Sequence, residues 1–186
     1  MDEIAKESEE IRTQALHYEN TDMAKAVELY NKSIQRDRRN VLAYHNLAKI
    51  HLTEPEFYDI ELAEKLCKQA YEIKVIPPEI TSAPVWLDDI HEEVNSDLDL
   101  LMMFIRIKQD RTDEARQYLN NIKAFYDKYS KGNYQTAKQI FDKHEQQGTR
   151  EATAYASSRG SKSGCLSLLA LLIVCLVASA LVYLSK

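Results

Sequence analysis

The stretch that decides the fold is MAKAVELYNKSIQRDRRNVLAYHNLAKIHL, residues 23–52. Its first half spaces Ala26, Tyr30 and Ser33 at i, i+4 and i+7, which places all three on one face of a helix. Its second half carries another such face, formed by Tyr44, Leu47, Ala48 and His51. The polar residues 37–40 separate the two halves. The stretch therefore predicts two amphipathic helices joined by a short turn.

The same small-large-small spacing recurs along the chain. The further sets are Ala63-Cys67-Ala70, Ala115-Leu119-Ile122 and Ala137-Phe141-His144. A small residue lets two antiparallel helices approach closely, and the larger residue fills the groove beside it. Stacked hairpins of this kind bury a continuous core that no single hairpin could form.

The chain contains few helix breakers. All four prolines lie between Pro55 and Pro84, and all four glycines lie at or beyond Gly132. We therefore predict an all-α domain of about eight helices at residues 1–147. The predicted helices cover residues 4–18, 22–35, 41–52, 59–74, 84–94, 98–108, 112–129 and 134–146. The sixth is apolar nearly all round, so we expect it to be the most buried.

These residues make the chain resemble the tetratricopeptide repeat (TPR) family. Ala26, Tyr30 and Ser33 match the signature of the second helix of a repeat. The signature of the next first helix is matched by Tyr44, Leu47, Ala48 and His51, together with the family's frequent asparagine at Asn46. Arg38 replaces the usual proline at the end of the repeat, and the intervals between the alanines are unequal, unlike the family's regular period of about 34 residues.

The resemblance implies a TPR-like stack of antiparallel helical hairpins that binds a protein or peptide. Many TPR domains bind the tails of Hsp70 and Hsp90 through a carboxylate clamp of Lys, Asn and Arg. Only Asn46 fits that clamp here, because Ile11 and Ala15 stand where its Lys and Asn should be. The chaperone tails are therefore not the expected partner. His51 falls at an aromatic packing position, so we predict a core histidine.

No pattern in the sequence indicates an enzyme. None of the five histidines belongs to an HExxH motif, and the scarcity of glycine leaves no phosphate-binding loop. The cysteines Cys67, Cys165 and Cys175 form no CxxC pair, so neither a zinc site nor a disulfide framework is indicated. The formal charge of −5 argues against nucleic acid. We expect no catalytic residue, no cofactor and no metal.

The segment from Asp88 to Asp99 is the sharpest charge feature. It contains six acidic residues and no lysine or arginine. If it lines the groove of the stack, it would prefer a basic or amphipathic peptide; the alternative is a solvated outer face. Trp86 beside it is either a partner anchor or a core residue. The predicted partner-binding set is Tyr44, Asn46, Trp86, Asp88, Asp89, Glu92 and Glu93.

The run CLSLLALLIVCLVASALVYL, residues 165–184, carries no charge, Gly or Pro. As a helix it would span roughly 30 Å, the thickness of a bilayer core. We therefore predict a transmembrane helix at residues 165–184, preceded by a flexible linker at residues 148–164. Cys165 is either a palmitoylation site or a small apolar residue that starts the helix.

The position of this run predicts a tail-anchored, single-pass membrane protein with its head in the cytosol. The strong hydrophobicity favours the endoplasmic reticulum membrane. The basic residues Arg159, Lys162 and Lys186 leave the mitochondrial outer membrane or the peroxisome as alternatives.

The sequence predicts a non-enzymatic adaptor that recruits a protein or peptide partner to a membrane. Two alternatives stay open. One is a targeting receptor or a subunit of an insertion machinery that reads basic or amphipathic segments. The other is a membrane-tethered enzyme, for which no residues stand out.

Overall fold

The computed structural model describes the backbone of residues 2–80 and 87–159, and the side chains of residues 2–80 and 91–150. Across these residues the chain is all-α, with seven α-helices and no strand, which confirms the all-α part of the predicted fold class. The helices are α1 (Glu3–Tyr18), α2 (Met23–Arg36), α3 (Val41–Thr53), α4 (Ile60–Tyr71), α5 (Leu87–Lys108), α6 (Thr112–Tyr129) and α7 (Tyr134–Arg159). Short 3-10 turns occupy Pro55–Phe57 and Pro78–Ile80.

Each of the first four helices is preceded by an N-cap residue whose side chain caps the helix. Each cap is an Asp or Asn that accepts a hydrogen bond of 2.9–3.2 Å from the backbone N–H three residues later. The four caps are Asp2, Asp22, Asn40 and Asp59. The predicted starts of these helices are therefore close to the observed ones, while α4 ends at Tyr71, three residues before its predicted end.

The predicted fifth and sixth helices are one helix, so the count of about eight becomes seven. α5 continues from Leu87 to Lys108 through Asn95, Ser96 and Asp97. These three polar residues include no Gly or Pro, so nothing stops the backbone hydrogen bonds from continuing. The part of α5 predicted as the sixth helix is indeed heavily buried, with Leu98 and Ile105 wholly inaccessible to solvent.

The predicted linker at residues 148–164 is helical as far as the structure describes it. α7 continues through Gly148 to Arg159. A single glycine costs a helix only about 1 kcal/mol, and the glutamate and alanines that follow it are good helix formers. The prediction gave too much weight to the small residues. Cys165 and the predicted transmembrane helix at residues 165–184 lie outside the described residues.

Among residues 2–80 and 87–159, no helix combines the length and the apolar character that crossing a membrane requires.

The chain divides into two units, Met1–Phe141 and Asp142–Lys186. In the first unit, consecutive helices pair: α1 packs on α2, α3 on α4, and α5 on α6. The pairs are joined by contacts of α2 with α3, of α4 with α5, and of α3 with α5. In the second unit, the structure describes the part of α7 that follows Phe141.

Most members of the recurring triples identified in the sequence are buried, whereas Leu119 and His144 are only partly so. Ala26, Tyr30 and Ser33 of α2 are all wholly buried. The other buried members are Ala63, Cys67, Ala70, Ala115, Ile122, Ala137 and Phe141. The spacing therefore marked the packing face of four helices.

A buried polar cluster fastens α1 and α2 to the start of α3. Ser8 and Ser33 exchange hydrogen bonds, each hydroxyl donating to the other's backbone carbonyl at 2.8–2.9 Å. Asn40 donates its amide to both hydroxyls, at 3.0 and 3.1 Å, and its oxygen caps α3. Glu9, held by Arg12, lies 3.4 Å from the same amide. Hydrogen bonding satisfies these otherwise costly buried groups.

A second buried cluster fastens α5 to its neighbours. Arg106 of α5 is only 4% exposed. Its guanidinium contacts the carboxylate of Glu64 on α4 at 2.9 Å and that of Glu114 on α6 at 3.1 Å. Gln109 adds a hydrogen bond of 3.0 Å to Glu64. The cluster therefore joins three helices through one buried cation.

The connection after α4 returns to the first helix. Ile76 and Ile80 are buried in the main core, and the 3-10 turn Pro78–Ile80 contacts α1. The backbone N–H of Asp2 donates to the Glu79 carboxylate at 2.8 Å. This connection crosses between elements more than seventy residues apart in the chain, which no local spacing in the sequence indicates.

Candidate functional site

The predicted partner-binding residues lie in different surroundings. Trp86 lies outside the described residues. Asp88 and Asp89 belong to the first turn of α5, and their side chains are outside the described part. The other four members, Tyr44, Asn46, Glu92 and Glu93, have described side chains.

The described acidic residues of the 88–99 segment are paired inside the chain. Glu92 binds Lys128 through both carboxylate oxygens at 2.8 and 2.9 Å. Glu93 binds Lys131 at 2.8 Å. The other two contacts are Asp97 with Asn133 at 2.9 Å and Asp99 with the Tyr71 hydroxyl at 2.6 Å.

These contacts tie α5 to α4, to α6 and to the turn after α6. The hydrogen bond from Lys128 holds the pKa of Glu92 below its usual value. Glu92 is therefore ionised, and its negative charge is neutralised by the lysine. Of the six acidic residues that favoured a basic peptide at this segment, only Asp88 and Asp89 have no partner described within the chain, because their side chains lie outside the described part.

Tyr44 and Asn46 differ in exposure. Tyr44 is 6% exposed and packs in the core, where burial raises the pKa of its hydroxyl. Asn46 is partly exposed and donates to the Tyr30 hydroxyl at 3.2 Å. His45 lies beside it, with Nδ1 3.1 Å from the Asn46 side-chain oxygen. Of the two predicted residues on α3, Asn46 is the one that a partner can reach.

The contacts of Asn46 continue to the end of α1. The Tyr30 hydroxyl donates to Glu19 at 2.5 Å, and Lys49 lies 3.5 Å from the other oxygen of Glu19. Burial, and then the bond to Glu19, raises the pKa of Tyr30 well above its ordinary value. We call the accessible polar side chains of His45, Asn46 and Lys49 the α3 face; the first two are partly exposed and Lys49 is exposed. Its groups are positioned by hydrogen bonds to α1 and α2.

His51 is a core histidine, as predicted. It is 8% exposed, and its Nδ1 lies 2.6 Å from the Phe57 backbone oxygen. This bond fixes the 3-10 turn Pro55–Phe57 against the end of α3. The histidine therefore positions a surface turn.

That turn forms one wall of an acidic cleft of about 440 Å³. The opposite wall is the turn between α1 and α2. Four carboxylates line the cleft, from Glu19, Asp22, Glu54 and Glu56, together with the apolar side chains of Met23 and Phe57. No lysine or arginine belongs to its described lining. We call this the turn cleft; its acids are too far apart in sequence to have been recognised as a group.

A smaller cleft of about 300 Å³ lies between α5 and α6. Its walls include Glu92, Ser96, Asp99, Asn121, Phe125 and Lys128. We call it the α5–α6 cleft. The sequence signalled only its acidic side, through the 88–99 segment, and gave no sign that α6 would supply the amide, the ring and the lysine.

Two buried polar side chains belong to the α5–α6 cleft. Asp99 is 8% exposed, and burial raises its pKa to about 6, although hydrogen bonds from Tyr71 and Asn121 oppose the shift. Ser96 is 4% exposed, and its hydroxyl has no hydrogen-bond partner in the described part of the chain.

Gly132 lies against Phe125, one of the residues that line the cleft. Its φ of +102° is a left-handed backbone conformation that residues other than glycine rarely adopt. A Cβ atom there would lie 3.1 Å from the Phe125 ring and 3.9 Å from the Ser96 hydroxyl. The position therefore requires glycine, both for its conformation and for its space.

The raised pKa of Asp99 predicts a pH dependence of stability. The folded chain holds this proton more tightly than the unfolded chain does, so the contribution of Asp99 is full below about pH 4 and is lost as the pH rises through about 6. The groups that face it are Tyr71 of α4, Asn121 and Lys128 of α6, and Glu92 of α5. Asp99→Asn should therefore gain about 1–3 kcal/mol relative to the wild type between pH 4 and pH 7.5.

Urea unfolding of both chains at the two pH values, followed by circular dichroism, measures this difference. A constant difference between the two chains would show that Asp99 titrates normally.

Comparison of the chain with protein-family models, with curated proteins and with solved structures found no match.

Proposed function

We propose that the chain is a membrane-anchored adaptor whose TPR-like domain holds a protein or peptide at a membrane. The order of helix contacts carries this proposal. Helices pair as α1–α2, α3–α4 and α5–α6, and α3 also packs on α5. A TPR-like stack would have this order, because each hairpin packs on its neighbour and first helices pack on first helices.

The buried triples support the same proposal. In α2 and α4 the small-large-small residues Ala26-Tyr30-Ser33 and Ala63-Cys67-Ala70 are all buried. These are the positions at which the TPR resemblance requires packing between helices. Asn46, at the family's frequent asparagine, is accessible on the α3 face.

Residues 165–184 are proposed as the anchor. They hold no charged residue, and their length suits a bilayer core of about 30 Å. The basic residues Arg159 and Lys162 precede this run and favour a cytosolic location for the head. The endoplasmic reticulum membrane remains the preferred site.

The charge of the turn cleft supports a basic or amphipathic partner. Glu19 binds Lys49 and Asp22 caps α2, so the charge available in the cleft comes from Glu54 and Glu56. These two carboxylates beside Met23 and Phe57 suit a segment carrying both cationic and apolar side chains. This support replaces the 88–99 segment, whose described acids are used within the chain. A targeting receptor would use the same chemistry, so it stands as the second candidate function.

Proximity labelling in cells tests the proposal in two arms. Deletion of residues 165–186 should move the chain from the membrane pellet to the supernatant and remove membrane proteins from the labelled set. A matched control replaces residues 165–184 with an unrelated twenty-residue transmembrane helix, which should restore both. A deleted chain that stays in the pellet would refute the anchor.

The second arm reverses charge in the turn cleft. Glu54→Lys with Glu56→Lys should remove most of the labelled partners at unchanged membrane location. The control pair is Glu61→Lys with Glu72→Lys, two exposed acids in the first turn of α4 and directly after its last residue. If both pairs leave the partners unchanged, the turn cleft does not bind them.

A further inference from the structure

We propose that the α5–α6 cleft binds a primary alkylammonium ion, the group that a lysine side chain of a partner protein would supply. No feature of the proposed function requires this cleft. The proposal rests on the proposed function only for the source of the ammonium group, which is a lysine of the partner protein. The binding itself depends on the residues that line the cleft.

The unpaired hydroxyl of Ser96 is the first observation. A buried hydroxyl without a partner is costly, and folded proteins normally satisfy such a group with protein, water or a ligand. Ser96 is 4% exposed, and its hydroxyl has no partner in the described residues. Ser96 is also one of the residues that line the cleft.

The buried carboxyl of Asp99 is the second observation. One of its oxygens accepts the Tyr71 hydroxyl at 2.6 Å. Neutral donors leave its negative charge uncompensated, and no lysine or arginine forms an ion pair with Asp99 in the described part of the chain. A cation in the cleft would supply the positive charge that compensates the Asp99 carboxylate. An ammonium group donates three hydrogen bonds, which suits a carboxylate and a hydroxyl on the same wall.

The rim of the cleft favours a cation over an anion. Lys128 is the only described basic residue of the lining, and both oxygens of Glu92 already bind it. With Asp99 ionised, the two carboxylates exceed the one ammonium by a single negative charge. One monovalent cation restores neutrality, whereas an anion would meet two carboxylates.

The apolar part of the cleft suits the methylene chain of a lysine. Phe125 and Ala124 line it, and its volume of about 300 Å³ is at the small end for ligand sites. A lysine side chain packs its methylenes on apolar surface and keeps its ammonium among polar groups. Metal binding is not favoured, since no three suitable ligands converge anywhere in the described residues.

Titration of the ¹⁵N-labelled full-length chain in detergent micelles tests the proposal. The probe is Nα-acetyl-lysine N-methylamide, followed by the amide shifts of residues 92–99 and 121–128. We expect saturable shifts confined to these residues. The matched probe Nα-acetyl-norleucine N-methylamide has the same hydrocarbon stem without the ammonium, and it should bind at least ten-fold more weakly.

Two variants assign the binding to the cleft. Asp99→Asn should weaken the lysine probe by at least ten-fold, and Ser96→Ala by about five-fold, the usual effect of losing one hydrogen bond. Asp113→Asn makes the same chemical change on an exposed residue of α6 and should change nothing. Thermal melting of each variant establishes that it is folded.

The outcomes separate the two proposals. Equal binding of the lysine and norleucine probes, or unchanged binding by folded Asp99→Asn, would overturn the ammonium site. Neither result bears on the membrane anchor, because no membrane partner takes part in the titration. Titration with putrescine, a free diamine, tests whether the ammonium comes from a lysine of a partner protein or from a soluble amine. Tighter binding of putrescine than of the lysine probe would overturn the assignment to a partner's lysine and assign a soluble amine to the site.

Discussion

Arg106→Met should lower the free energy of unfolding by about 2–4 kcal/mol, because it removes hydrogen bonds between charged groups from a largely buried position. The arginine is 4% exposed and lies between Glu64 of α4 and Glu114 of α6. Without it, the partly buried Glu64 keeps Lys68, at 2.6 Å, as its ionic partner among the described residues.

The pKa of Glu64 gives this prediction a pH signature. The hydrogen bonds from Arg106 hold the pKa of Glu64 far below its ordinary value. Because the folded pKa is lowered, the pair stabilises the folded chain above about pH 4.5, and this stabilisation is lost as the pH falls towards the folded value. Arg106→Met should therefore differ most from the wild type at neutral pH and less in acid.

Arg111→Met is the matched control. Arg111 binds the same Glu114 at 2.6 Å, but its side chain is 46% exposed. An exposed pair contributes only about 0–1 kcal/mol, although the change in charge is identical. Urea unfolding of both variants at pH 7 measures the contrast. Equal losses in the two variants would mean that burial of Arg106 is not what gives the cluster its strength.

Asn40→Ala should lower the free energy of unfolding by about 2–4 kcal/mol. Loss of the cap on α3 costs about 1 kcal/mol. The same side chain donates to the wholly buried Ser8 and Ser33. Removing the donor from this buried cluster adds about 1–3 kcal/mol.

Two caps of the same geometry provide the control. Asp22 and Asp59 cap α2 and α4 with hydrogen bonds of 2.9 Å, but these bonds are exposed to solvent. Asp22→Ala and Asp59→Ala should each cost about 1 kcal/mol. Chemical unfolding of the three variants, monitored by helical circular dichroism, gives the comparison. The account of the buried cluster fails if Asn40→Ala costs no more than the other two.

The helices could be predicted because their signals are local. The spacing of Ala26, Tyr30 and Ser33 defined a packing face that is wholly buried in the structure. The hydrophobic pattern within one helix is enough to say which side faces the core. The burial of His51 was predicted from the position that the TPR resemblance gives it.

The incorrect predictions arose where the local composition was only a weak signal for the end of a helix. Asn95-Ser96-Asp97 was interpreted as a break, and Gly148 as the start of a linker, yet α5 and α7 continue through them. A few polar residues, or one glycine, cost too little to end a helix without a stop signal. The candidate site was harder to predict because its members come from separate helices.

By itself, the sequence determined the all-α class, the packing faces and most helix ends, because a helix forms through contacts three or four residues apart. Only the tertiary structure decided what the charges do. Glu92 finds Lys128 thirty-six residues away, and Arg106 finds Glu64 forty-two residues away. Whether an acid lines an open cleft or neutralises a lysine depends on which helices become neighbours, and that depends on the packing of the whole core.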